Sequence, residues 1–95
     1  MIYKVKISQL AYYDLEHIYE YLLETSEERS IAIEYITKLE NSISSLGYMP
    51  SRCRKTKKPN YRVLNVDNYR VIFFIEELKR TVKVIRVIHA KRNMF

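Results

Sequence analysis

Apolar and polar positions change their period along this chain, and each change marks an element. Residues 2–7 alternate, with Tyr3, Val5 and Ile7 on one face and Lys4 and Lys6 on the other, which predicts a half-buried strand. From Ala11 the period becomes helical: Ala11, Leu15, Ile18 and Leu22 recur at spacings of 4, 3 and 4. Ser8 stands where an N-cap is needed, and Asp14 and Glu16 lie early in the helix, where its dipole favours acids. A second helical stripe runs through Ala32, Ile36, Leu39, Ile43 and Leu46, with Ser26 as its expected cap and Glu27 and Glu28 in its first turn. Gly47, the only glycine, falls where a left-handed C-terminal cap is expected, and Pro50 prevents the helix from continuing. Two such helices joined by a short loop pack as an antiparallel hairpin.

Residues 51–60 have no period and read as an exposed loop. Beyond them come three strand-like runs: Tyr61 to Val66, Tyr69 to Ile75 and Val82 to Arg92. Asp67-Asn68 and a turn near Glu77 to Lys79 join them into a meander. The run from Tyr69 is almost wholly apolar and is expected at the sheet centre, covered on both faces. The order strand, helix, helix, strand, strand, strand predicts an α+β domain, with a two-helix antiparallel hairpin packed on one antiparallel sheet. Positions equally distant from a hairpin turn face each other. Asn65 should therefore lie across from Arg70, and Arg70 across from a residue between Val87 and His89. Asn65, Arg70, His89, Lys91 and Arg92 are thus expected at one end of the sheet, with the basic loop toward the other.

Composition narrows the functional classes. The 95 residues make one domain, with no apolar run long enough for a membrane helix. One cysteine, Cys53, excludes an internal disulfide and a cysteine zinc site, and fits a reducing cytoplasm. No Gly-rich phosphate loop, carboxylate-rich metal site or nucleophile triad is present, so no metal and no cofactor is expected. The formal charge of +6 suits nucleic acid, a phosphate-rich assembly or an acidic protein. The nine tyrosines fall mostly at helix or strand period, as amphipathic core-and-rim residues.

Two sets of residues carry candidate chemistry. Arg70 and Arg92 offer planar forks that match phosphate, and His89 would exchange protons near neutral pH. Cleavage of RNA by its own 2′-hydroxyl needs that combination of cations and acid–base groups. The alternative is that these are ordinary strand-end residues and a solvated tail charge. Arg52, Arg54, Lys55, Lys57 and Lys58, with no acid among them, would give salt-sensitive affinity for phosphates, or else solubilise the loop. Cys53 among these cations is either a thiol of lowered pKa or an incidental one.

The chain resembles the RelE/ParE toxins of bacterial type II toxin–antitoxin (plasmid stabilisation) modules over nearly its whole length. The likeness rests on Ser8, Ala11 and Asp14-Leu15-Glu16-His17-Ile18-Tyr19-Glu20-Tyr21, on Tyr69-Arg70-Val71-Ile72-Phe73, and on Val84-Ile85-Arg86-Val87-Ile88-His89-Ala90-Lys91-Arg92. It implies a helical hairpin against a curved antiparallel sheet, and a cognate antitoxin. RelE-like members cut mRNA in the ribosomal A site; ParE-like members share the fold and poison DNA gyrase. The RelE-like pattern matches Arg70 and Arg92 to phosphate-binding arginines, and Arg62 to one of two basic residues on the second strand, with Leu64 in place of the other. The catalytic tyrosine of the RelE C-terminal extension has no counterpart before Phe95. On the mRNA-cutting expectation Arg70, His89 and Arg92 act on the phosphate, while Arg62, Lys91 and the basic loop dock on RNA. The basic loop and the Arg70–Arg92 pair favour that reading; the N-terminal helix pattern and the Arg86-Val87-Ile88-His89 ending fit a gyrase inhibitor. A small basic binding domain without toxicity is the third alternative.

Overall fold

The computed structural model describes residues 2–91. The elements follow in the order β1 (Lys4–Ile7), α1 (Gln9–Thr25), α2 (Arg29–Ser44), β2 (Arg62–Val66), β3 (Tyr69–Glu76) and β4 (Thr81–His89). Ser8 caps α1 as expected: its hydroxyl accepts the Ala11 N–H at 3.1 Å. The same hydroxyl donates to the Ile85 carbonyl, and the Ser8 N–H donates to the Val84 carbonyl, so the helix start is tied to β4.

The sheet order is β1-β4-β3-β2. The predicted meander registers hold, with Asn65 opposite Arg70 and Arg70 opposite Ile88. β1 departs from the all-antiparallel expectation. It lies parallel to β4, from Lys4 opposite Thr81 to Ile7 opposite Val84, so the sheet is mixed. The meander uses both edges of β3, and of the two outer edges left free β1 takes that of β4, reached by a crossover through the helical hairpin. A bulge between Ile72 and Phe73 sets Ile72 opposite Arg86 and Phe73 opposite Val84, which gives β4 the extra residue Ile85 and a local bend.

The helical stripes and one sheet face meet in a core of Ala11, Leu15, Ile18, Leu39, Ile43, Val71, Phe73, Val82, Val84 and Val87. Val63, Ile72 and Ile88, from the other sheet face, are also buried, as the apolar sequence of β3 predicted.

Three local expectations are corrected. Ser26 does not start α2; its N–H closes α1 on the Leu22 carbonyl, and Glu28 takes the N-cap position without a side-chain bond. Asp14 and Glu16 lie beyond the first turn of α1, and Glu27 and Glu28 lie before α2 begins at Arg29, so none of these acids stands in a helical first turn. Gly47 is not a left-handed cap but part of a 3-10 turn, Ser45–Gly47. Its small size serves a close approach instead: a Cβ there would sit 2.9 Å from the Tyr3 carbonyl oxygen. Among the described residues the left-handed positions are Met49, Asp67 and Arg80, the last two closing the β2–β3 and β3–β4 turns. Among the described residues no helix is long and apolar enough to cross a membrane.

Candidate functional site

Neighbours along a strand point to opposite faces, and residues paired across strands share a face. Tyr69 pairs with His89, whereas Arg70 pairs with Asn65 and Ile88. Arg70 and His89 therefore occupy the same end of the sheet on opposite faces. Tyr69 packs against the helix-side core, and the His89 ring meets it edge-on at 5.6 Å and 78°. The His89 Nδ1 accepts the Lys91 N–H at 3.1 Å. On the far face Arg70 keeps its Nε buried without a hydrogen-bond partner among the described residues. Arg92 lies outside the described residues. The structure thus brings Asn65 and Arg70 together and sets His89 apart, because register arithmetic fixes which end a residue reaches, while strand alternation fixes its face.

On the helix side, Tyr69 and His89 line a groove of about 540 Å³ with Asp14, His17, Ile18 and Tyr21 of α1. A smaller cavity of about 250 Å³ shares Tyr21, Tyr69 and His89 and adds Tyr35 of α2 and Asn68 of the β2–β3 turn. Burial first, and the Tyr21 phenol second, push the Tyr69 hydroxyl above its ordinary pKa, so it stays protonated and able to donate.

Asp14 builds the groove wall. Its carboxylate takes the Arg86 Nε at 2.8 Å, the Arg86 Nη2 at 3.0 Å and the Val87 N–H at 2.9 Å. Beyond Val84, where β1 ends, this carboxylate satisfies the outer edge of β4 that a longer strand would have covered. The ion pair is half-sequestered and bidentate, and the hydrogen bond to Asp14 raises the Arg86 pKa. The helix-dipole role given to Asp14 from sequence missed this. A signal existed: Asp14 sits three residues after Ala11 and four before Ile18, inside the apolar stripe, where a carboxylate needs a partner.

A family model for the ParE toxin of type II toxin–antitoxin systems matches residues 5–94. The chain belongs to the ParE toxin family. Among solved structures, the chromosomal ParDE system of P. aeruginosa superposes with a TM-score of 0.80 at 14% identity, covering 95% of this chain and 98% of that one. The RelBE2 complex of Mycobacterium tuberculosis gives 0.67 at 20% identity, covering 94% and 99%. The isolated RelE toxin of E. coli gives 0.58 at 16% identity, covering 97% and 88%. At these identities the structures establish the shared fold. A search of the curated proteins finds no match.

In this toxin the basic loop is folded rather than loose. Cys53 is buried in the core, and burial pushes its thiol up from the ordinary value against the lowering effect of Arg52 and Arg62, so it is a core thiol, not an activated one. The Arg62 guanidinium bonds the Ser51 carbonyl at 3.2 Å and the Cys53 carbonyl at 2.7 Å. Arg52 bonds the carbonyls of Tyr48 and Met49 and the Ser45 hydroxyl. Both arginines proposed for RNA thus help to hold the loop. Arg62 and Leu64 pair with Phe73 and Val71 on the helix side, opposite the face of Arg70. Arg54, Lys55, Lys57 and Lys58 remain displayed on the surface. Lys91 is exposed beside His89, at the other end of the sheet.

Proposed function

We propose that this toxin arrests growth by binding DNA gyrase, without cleaving RNA. The observation that supports it is the placement of Arg70 and His89 on opposite faces of the sheet. In-line cleavage at a phosphate needs a base for the 2′-hydroxyl and an acid for the leaving oxygen, both within hydrogen-bond reach. The strand partners of Arg70 on its face, Asn65 and Ile88, supply neither. Membership of the ParE family points the same way, since ParE-like toxins act on gyrase.

A cognate antitoxin is the expected partner, as in the ParDE and RelBE2 assemblies. The exposed Tyr21 and Tyr35 beside the groove give it apolar area to cover.

The test is a supercoiling assay with purified toxin, run beside toeprinting on translating ribosomes. Inhibition of gyrase with intact mRNA is expected, and His89→Gln should retain it. Cut mRNA with unaffected supercoiling would overturn the proposal in favour of the ribosome-dependent nuclease. Protein that changes neither and arrests no growth would leave only a small basic binding domain.

A further inference from the structure

Residues 51–60 hold five of the chain's 17 lysines and arginines and none of its 11 acids. The rest of the chain is therefore close to neutral, and nearly all of the +6 excess belongs to one loop. A charge spread for solubility would not be so confined.

The loop is also built to keep its shape. Cys53 anchors it in the core, and the Arg62 guanidinium clamps the carbonyls of Ser51 and Cys53. The Val63 N–H donates to the Arg54 carbonyl, and Lys55 bridges to Arg62 along the outer edge of β2. The Thr56 N–H donates to the Tyr61 carbonyl, and the Thr56 hydroxyl bonds both the N–H and the carbonyl of Lys58. Arg54, Lys55 and Lys57 are exposed and paired with no acid among the described residues, whereas Lys38, Lys79, Lys83 and Arg86 are each paired with an acid elsewhere.

We infer that the turn Arg54–Lys58 docks on the phosphodiester backbone of a nucleic acid, without reading its sequence. A protein interface needs an apolar centre to bury, and residues 54–60 carry no apolar side chain except Pro59. A phosphate backbone needs only cations held at a surface. Three of the four cations, Lys55, Lys57 and Lys58, are point charges on flexible stems rather than forked donors, so the contact positions the protein and confers little sequence preference. The site is separate from the groove: the loop adjoins Arg62 at the start of β2, and the groove lies at Tyr69 and His89. The inference does not require gyrase to be the target.

Fluorescence anisotropy of the full chain with a short labelled DNA duplex, and separately with an RNA duplex of the same sequence, tests it. Four cations on B-DNA give a slope of log affinity against log salt of about −3 to −4. Lys55→Gln, Lys57→Gln and Lys58→Gln together should flatten that slope by about 3, with at least tenfold weaker binding at low salt. The control, Lys4→Gln, Lys6→Gln and Arg29→Gln, removes the same charge from exposed positions on β1 and α2 and should keep the wild-type slope. Circular dichroism melting confirms that each variant is folded. Equal weakening by both triple variants would overturn the inference, since binding would then follow net charge alone. Failure of the wild type to bind either duplex would overturn it as well. Binding of RNA alone would support the loop as a backbone contact while counting against the gyrase reading.

Discussion

The groove beside His89 and the basic loop are built in opposite ways. The groove is assembled from α1, β3 and β4, with α2 and the β2–β3 turn lining the cavity beside it, and its wall depends on a carboxylate and a guanidinium 72 residues apart. The loop is local: its charged residues fall within seven positions, Arg52 to Lys58, and the bonds that shape it span at most 11 residues. A long-range site shares the fate of the fold, because the residues that shape it also hold layers together. A local loop hung from one buried anchor can change its charges with little effect on stability.

Asp14→Ala should have the largest effect. It leaves the Arg86 guanidinium and the Val87 N–H unpaired in a half-buried setting, and should cost about 3 kcal/mol, near the low end for breaking such a pair. Denaturant unfolding reads it as a lower midpoint at unchanged slope. Gly47→Ala comes next. The new Cβ would press on the Tyr3 backbone carbonyl, which cannot swing aside as a side chain does, so a loss of about 1–3 kcal/mol is expected by thermal melting.

High pH probes the helical hairpin that carries half the groove. Burial, then the Glu40 carboxylate, push the Tyr19 hydroxyl up to about 12 from its ordinary 10.0. The folded state favours the protonated phenol, so this contribution is intact below pH 10 and is lost as pH rises toward about 12. Tyr3 and Tyr69 shift in the same direction, so Tyr19→Phe should flatten the alkaline fall in stability in part, not wholly.

The smallest expected effect lies in the loop. Lys55→Gln, Lys57→Gln and Lys58→Gln should each move stability by less than about 0.5 kcal/mol, whatever they do to nucleic-acid binding. A large loss of melting temperature would make the loop part of the fold and erase the contrast.

Local sequence located both helices, the Ser8 cap, the β2–β3 and β3–β4 turns, Asn65 opposite Arg70, and the partner of Arg70 to within Val87 to His89, where it is Ile88. These follow from properties of consecutive residues: side-chain period, capping chemistry and the symmetry of a hairpin. The confined charge of residues 51–60 was legible for the same reason. The parallel placement of β1 was not, because which free edge a distant strand takes depends on where the helical hairpin returns the chain. Nor was the role of Gly47, whose partner is a carbonyl 44 residues away. The candidate site shows the division most clearly. Arg70 and His89 were correctly sent to one end of the sheet, yet alternation along β3 and β4 sets them on opposite faces. Asp14, read as a helix-end acid, became the staple of the groove only when α1 lay against the uncovered edge of β4. Sequence determined which residues are apolar, charged or turn-forming and how near neighbours must point; tertiary structure decided which distant groups meet, because that depends on layers closing over one another.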